Sequence, residues 1–126
     1  MIKILLIEDD EITNFITKTN LEKFGYKNID IALNGQEGID YLNNNTCPDL
    51  ILLDLNMPVL DGWDFLDAKA RLNLCPNVPI IIATSSARIE DRKKVDIYDS
   101  ILDYMEKPVN FDVLNTLLSN LKVKKM

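Results

Sequence analysis

The sequence contains no histidine. Histidine is therefore excluded as general base, metal ligand or phosphoryl carrier within this chain, and any imidazole chemistry has to be brought by a partner. Glycine and proline are sparse, four and five in 126 residues, so the chain is not a low-complexity or linker-rich one. There are only two cysteines, Cys47 and Cys75, far apart in sequence. In a small intracellular domain such a pair is expected as reduced thiols, not as a disulfide. No apolar run approaches the ~20 residues of a membrane span. The apolar stretch Ile2 to Ile7 has neither the charged leader nor the length of a signal peptide. A cytoplasmic protein without membrane contacts is expected. Basic residues are also in deficit: 14 Lys and Arg stand against 20 Asp and Glu, a formal net charge of −6. Lys and Arg supply the phosphate-backbone term of nucleic-acid binding, so no nucleic-acid partner is expected. The basic end, Lys122, Lys124 and Lys125, reads as the exposed tail of a helix.

What the sequence does hold is a core. Hydrophobic residues make up 47% and charged residues 27%, the balance of an ordinary globular domain, and the length fits one domain, 1–126. Short strand-like runs appear at Ile4–Ile7, Ile29–Ala32, Leu50–Leu53 and Ile80–Ala83, with a weaker one at Asp103–Met105. The first, third and fourth are continuously apolar, as in strands buried on both faces. Between them lie helical patterns. Glu11 to Lys23 carries Ile12, Phe15, Ile16 and Leu21 at helical spacing, with Gly25 as a stop. Asn34 caps a helix to about Asn43, with Glu37 in capping-box position. Pro58 to Gly62 is a loop, followed by a short helix from Trp63 to Leu72. Arg88 to Tyr98 is a charged helix, and Asn110 caps a last one containing Val113, Leu114, Leu117, Leu118 and Leu121. Strands alternating five times with helices predict an α/β fold with a doubly wound parallel sheet covered on both faces. In such sheets ligands bind beyond the carboxyl ends of the strands.

Those ends carry the polar residues. Strand one runs into Glu8-Asp9-Asp10, strand three into Asp54, strand four into Thr84-Ser85-Ser86, and strand five into Lys107-Pro108. Converging carboxylates repel one another and raise each other's pKa. A hard divalent cation relieves that; Mg²⁺ takes oxygen ligands from one or two carboxylates plus water or phosphate oxygens. Glu8, Asp9 and Asp54 are suitable donors, with the Asn56 carbonyl as an extra one. A carboxylate also serves as a nucleophile that forms an aspartyl phosphate. Phosphoryl transfer needs positioning and charge neutralisation above all; Lys107 offers charge, and Thr84 a hydroxyl donor. Asp10 is assigned as N-cap of the first helix, and Asp61 and Asp64 as loop and cap acids. Taken singly, Thr84 is an ordinary strand residue, Lys107 a solvated charge and Tyr104 a core aromatic; their joint placement at strand ends is what points to a site.

These residues resemble a known family. Leu6-Ile7-Glu8-Asp9-Asp10, Asp54-Leu55-Asn56-Met57-Pro58 with Asp61-Gly62, Ala83-Thr84-Ser85, and Tyr104-Met105-Glu106-Lys107-Pro108 look like the motif set of response-regulator receiver domains, CheY-like and stand-alone, in the right order over the whole chain. The resemblance implies a flavodoxin-like (βα)5 sheet of order 2-1-3-4-5, an order known for this family. It implies that Asp54 is the phosphoacceptor, that Asp9, Asp54 and the Asn56 carbonyl contact Mg²⁺ (Mn²⁺ substituting) with Glu8 acting through water, and that Lys107 binds the phosphoryl group. Thr84 and Tyr104 would be the switch pair, Tyr104 turning from an outward to an inward rotamer, and the Lys107–Pro108 peptide would be cis. The implied function is a phosphorylation-activated switch of a bacterial two-component or phosphorelay system. The phosphohistidine of a histidine kinase or phosphotransfer protein would dock near the first helix. The chain would catalyse its own Mg²⁺-dependent phosphorylation and slow autodephosphorylation without being a conventional enzyme.

Two departures stand out. The small-residue stretch common before the last strand is replaced by Asp99-Ser100-Ile101-Leu102, and the preceding helix is unusually charged; both lie on a face such domains use for dimers and outputs. Residue 122 leaves no room for an output domain, which suggests action through an unidentified downstream protein, or an origin in a larger chain. A rival reading is a pseudo-receiver that is not phosphorylated and works as an interaction module. A flavin carrier of the same topology is disfavoured, because Glu8-Asp9-Asp10 repels a phosphate. So is a Mg²⁺-dependent phosphatase, because Asp54-Leu55-Asn56 lacks a second acid.

Overall fold

The computed structural model describes residues 1–85, 89–98 and 100–125; Ser86, Arg88 and Asp99, and the side chains of Ile89, Lys124 and Lys125, lie outside the described residues. The elements are β1 (Lys3–Ile7), α1 (Glu11–Lys23), β2 (Asn28–Ala32), α2 (Gly35–Asn44), β3 (Leu50–Leu53), α3 (Gly62–Arg71), β4 (Ile80–Thr84), α4 (Ile89–Lys94) continued by a 3-10 turn (Val95–Ile97), β5 (Ile101–Glu106) and α5 (Phe111–Lys125). All strand pairs are parallel, in the order β2-β1-β3-β4-β5. The three continuously apolar runs form the three central strands, where both faces are covered. The more polar β2 and β5 are the edges.

Alternation along the strands divides the core. Leu5, Ile7, Ile51, Leu53, Ile80 and Ile82 face Ile39 and Leu42 of α2 and Phe65 and Leu66 of α3. Ile4, Leu6, Leu50, Leu52, Ile81 and Ala83 face Leu21 of α1 and Leu114 and Leu118 of α5. Successive strand side chains point to opposite faces, so each apolar run serves both layers.

The caps follow the sequence. The Asp10 carboxylate accepts from the Ile12 N–H, the Asn34 side chain from the Glu37 N–H, and Asn110 Oδ1 from the Asp112 and Val113 N–H groups. Asp61 and Asp64 form a reciprocal capping box at the start of α3. At α2 the return bond goes elsewhere: Glu37 accepts from the Leu33 N–H, one residue before the cap.

Three expectations are corrected. Of the four apolar residues of α1 named above, Leu21 faces inward, beside Asn14 and Thr17, while Ile12, Phe15 and Ile16 are exposed. Asn14 Nδ2 donates to the Glu8 carbonyl at 2.9 Å, which fixes the rotation of the helix together with the Asp10 cap. The charged helix is shorter than its pattern. It turns 3-10 at Val95-Asp96-Ile97, where β-branched residues and an aspartate are poor helix formers. Finally, Cys47 and Cys75 form a disulfide, Cα to Cα 5.7 Å. Each sits on the connection leading into β3 or β4, and those strands are neighbours, so the fold joins what sequence keeps apart.

Candidate phosphoryl-acceptor site

β1 and β3 lie side by side with Ile7 opposite Leu53, so the residues after each leave the sheet together. The Asp54 N–H donates to the Ile7 carbonyl at 3.0 Å, and the Glu8 N–H to the Ala32 carbonyl at 3.0 Å, extending both ladders one step into the acidic loop. Glu8, Asp9 and Asp54 come together there, each offering a carboxylate oxygen within 4.8 Å of the others. Glu8 and Asp54 are both buried, 7% exposed, while Asp9 is open to solvent.

Lys107 reaches in from the end of β5. Its ammonium makes a short contact with Glu8 Oε1 and stands 3.6 Å from Asp54 Oδ1. Its backbone N–H donates to the Thr84 carbonyl at 2.8 Å, which ties the ends of β5 and β4. The Lys107–Pro108 peptide is cis. Burial raises the pKa of Glu8, and the Asp54 and Asp9 carboxylates add to the rise against the opposing Lys107 hydrogen bond, carrying it to about 7. The site thus holds more negative charge than one ammonium settles. An all-oxygen donor set of three carboxylates, without nitrogen or sulfur, suits a hard divalent cation.

The remaining predicted residues take these places. Thr84 ends β4, fully buried beside the acidic loop, with its carbonyl held by Lys107. Tyr104 pairs with Ile82 in the register where Thr84 pairs with Glu106, so it is two residues back on the same strand; it is half-buried, with the Arg92 guanidinium 5.2 Å from its ring centre. Asn56 lies exposed two residues beyond Asp54 on the same loop.

Residues that sequence reasoning passed over also shape the site. Asn14 holds the Glu8 carbonyl from the buried side of α1, and a lone polar residue in a helix gives no warning of that. Gly62 is required by space: a Cβ there would stand 2.6 Å from the Asp54 carbonyl oxygen and 2.7 Å from Leu55 Cα. Its position after Asp61 was visible, but the close approach was not.

Beside the site, Thr13, Ile16 and Thr17 of α1, Lys107, Pro108 and Val109 of the β5–α5 connection and Phe111 at the start of α5 line a groove of about 390 Å³. Ile16 in its wall follows the exposed Phe15 and lies one helical turn after the exposed Ile12.

Comparison with known proteins identifies the family and the fold. The family model for the response regulator receiver domain matches residues 4–119. The sensor histidine kinase CheAY of Helicobacter pylori is 31% identical over 116 residues, covering 91% of this chain and 14% of the relative. The hybrid signal transduction histidine kinase H of Dictyostelium discoideum is 34% identical over 116 residues, covering 90% of this chain and 8% of the relative. The chain therefore spans only a small part of these relatives. Among solved structures, a CheY-like response regulator receiver domain protein from Methanospirillum hungatei superposes with a TM-score of 0.83 at 28% identity, covering 99% of this chain and 98% of that one.

Proposed function

Since the chain belongs to the response regulator receiver domain family, we propose that it is a phosphorylation-activated switch of a two-component or phosphorelay system, with Asp54 accepting a phosphoryl group from a histidine kinase or phosphotransfer protein. The observation that carries the reading is the meeting of Glu8, Asp9 and Asp54 within 4.8 Å, with the Lys107 ammonium 3.6 Å from the Asp54 carboxylate. The rival reading of an unphosphorylated interaction module has no comparable support, because acceptor, acids and lysine all converge.

Glu8, Asp9, Asp54 and the Asn56 carbonyl are the groups to hold Mg²⁺, or Mn²⁺ in its place. When bound, that ion neutralises charge on the transferring phosphoryl oxygens. The chain's own residues do the rest. Asp54 attacks phosphorus with a carboxylate oxygen; an O–P bond forms as the N–P bond of the donor phosphohistidine breaks, and the imidazole nitrogen keeps the bonding pair. The donor histidine comes from the partner, because this chain has none. Lys107, already between Glu8 and Asp54, meets the new phosphoryl oxygens. Thr84 and Tyr104 respond from adjacent strands, and their shift biases the surface around α4, β5 and α5, a local charge change acting on a bistable element. The exposed Ile12, Phe15 and Ile16, beside the groove at Pro108 and Phe111, fit a phosphohistidine-bearing helix docked against α1.

Asp54→Asn is the test. It should abolish phosphoryl incorporation from acetyl phosphate while leaving the melting curve in place; incorporation that survives the change would refute the assignment. Mg²⁺ titration followed by the fluorescence of Trp63, the single tryptophan, reads the cation site separately.

A further inference from the structure

Helix α3 turns Gly62, Phe65, Leu66 and Lys69 inward, the i, i+3, i+4, i+7 stripe of a core-facing helix. Three of these suit an interior. The fourth is a lysine that is only 5% exposed. Lysine is almost never so buried without a partner. The Lys69 Nζ is not among the fully buried unpartnered polar atoms, so the stem is buried while the ammonium reaches an open surface. Among the described residues Lys69 has no ion pair and no side-chain hydrogen bond; the paired lysines are Lys3 and Lys107. Asp67, two residues earlier, accepts from the Tyr98 hydroxyl at 2.6 Å. Burial lowers the pKa of the Lys69 amine, with no charged neighbour opposing it.

Lys69 lines a groove of about 320 Å³ at the end of the sheet opposite the acidic loop. Leu66, Pro76 and Ile97 give it an apolar wall, and Asn73 and Ser100 give it an amide and a hydroxyl. The groove spans α3, its connection to β4, the 3-10 turn after α4 and the entry to β5.

We propose that this groove binds a small organic monocarboxylate with a short apolar body, its carboxylate paired with Lys69. The apolar body lies along Leu66, Pro76 and Ile97. One ammonium beside an apolar wall matches a monoanion with a tail. A phosphate dianion would need several more donors, and the chain's net charge of −6 opposes a dianion more than a monoanion. An occupant ties the 3-10 turn to α3. There Tyr98 stacks on Trp63, ring centres 5.9 Å apart, so Trp63 fluorescence reports binding. The site is separate from Asp54, and the inference stands whether or not the chain is phosphorylated.

The whole chain is titrated with sodium hexanoate, followed by Trp63 fluorescence and by calorimetry, with 1-hexanol as the uncharged probe. Saturable one-to-one binding of hexanoate is expected, with 1-hexanol weaker by about tenfold or more, a loss of the order expected when a charge-assisted contact is removed. Lys69→Met and Lys69→Gln should each weaken hexanoate by about tenfold or more while Lys69→Arg stays within about threefold. Thermal melts establish that each variant is folded, and Asp54→Asn should bind hexanoate like the parent. The proposal is overturned by the absence of saturable binding to the parent chain, by folded Lys69→Met or Lys69→Gln binding hexanoate undiminished, or by 1-hexanol binding as tightly as hexanoate.

Discussion

At the scale of single residues, Glu8 carries the most informative balance of forces. Burial favours its neutral form, and Lys107 favours the charged one. With its pKa raised from 4.5 to about 7, Glu8 binds a proton more tightly in the folded chain than in the unfolded one. Folding then takes up a proton, so this group stabilises the fold fully at low pH, and the benefit fades as pH rises through about 7. The metal-free protein should therefore lose thermal stability between about pH 5 and about pH 8, and Glu8→Gln should flatten that slope. Cation binding needs the carboxylate, so Mg²⁺ affinity should weaken as pH falls below about 7. Thermal melts with and without Mg²⁺ across that range check both; an unchanged slope in Glu8→Gln would show that another group controls it.

At the scale of elements, α1 is the case where two roles compete. Asn14, Thr17 and Leu21 attach it to the sheet, which leaves Phe15 72% and Ile12 71% exposed. Exposed substitutions usually change stability by within about 0.5 kcal/mol. Phe15→Asp should accordingly melt almost as the parent chain does. It should still slow phosphoryl transfer from a histidine phosphodonor by about tenfold or more, because a buried interface aromatic is lost. Transfer from acetyl phosphate, which needs no docking helix, should stay unchanged. Equal slowing with both donors would place the effect inside the site and not on the docking face. β5 shows a second element-level effect. Ile80 pairs with Ile101 but Ile81 pairs with Asp103, so Leu102 is an extra residue bulged out of the ladder and 45% exposed. Leu102, the last residue of the unusual segment, is thus accommodated by a bulge on an edge strand, where bulges are tolerated.

At the scale of the whole molecule, the sheet separates two ends. The carboxyl ends of the strands gather Glu8, Asp9, Asp54 and Lys107, and the other end holds the disulfide between Cys47 and Cys75. The bond closes a loop with a sequence separation of 28, for which the chain-entropy model gives about 3.6 kcal/mol. Reduction with dithiothreitol should lower the melting midpoint by on the order of 10 °C, and Cys47→Ser should reproduce that midpoint and make it insensitive to the reductant. Phosphorylation of Asp54 should survive, because the bond lies at the far end of β3. An unchanged midpoint on complete reduction, measured by thiol titration, would contradict a stabilising role.

The order of elements, the identity of the central strands, the caps at Asp10, Asn34 and Asn110 and the polar strand ends were all legible in sequence, because each depends on neighbours a few residues away. Continuous apolar runs require cover on both faces, and a parallel sheet then puts every strand's carboxyl end on one side. Periodicity says which residues share a face, but not which face is covered. The inward turn of Asn14, the burial of Lys69 on the core stripe of α3, the close approach at Gly62 and the joining of Cys47 to Cys75 were decided by contacts between distant segments. Only the stacking of helices on a specific strand order brings those segments within reach.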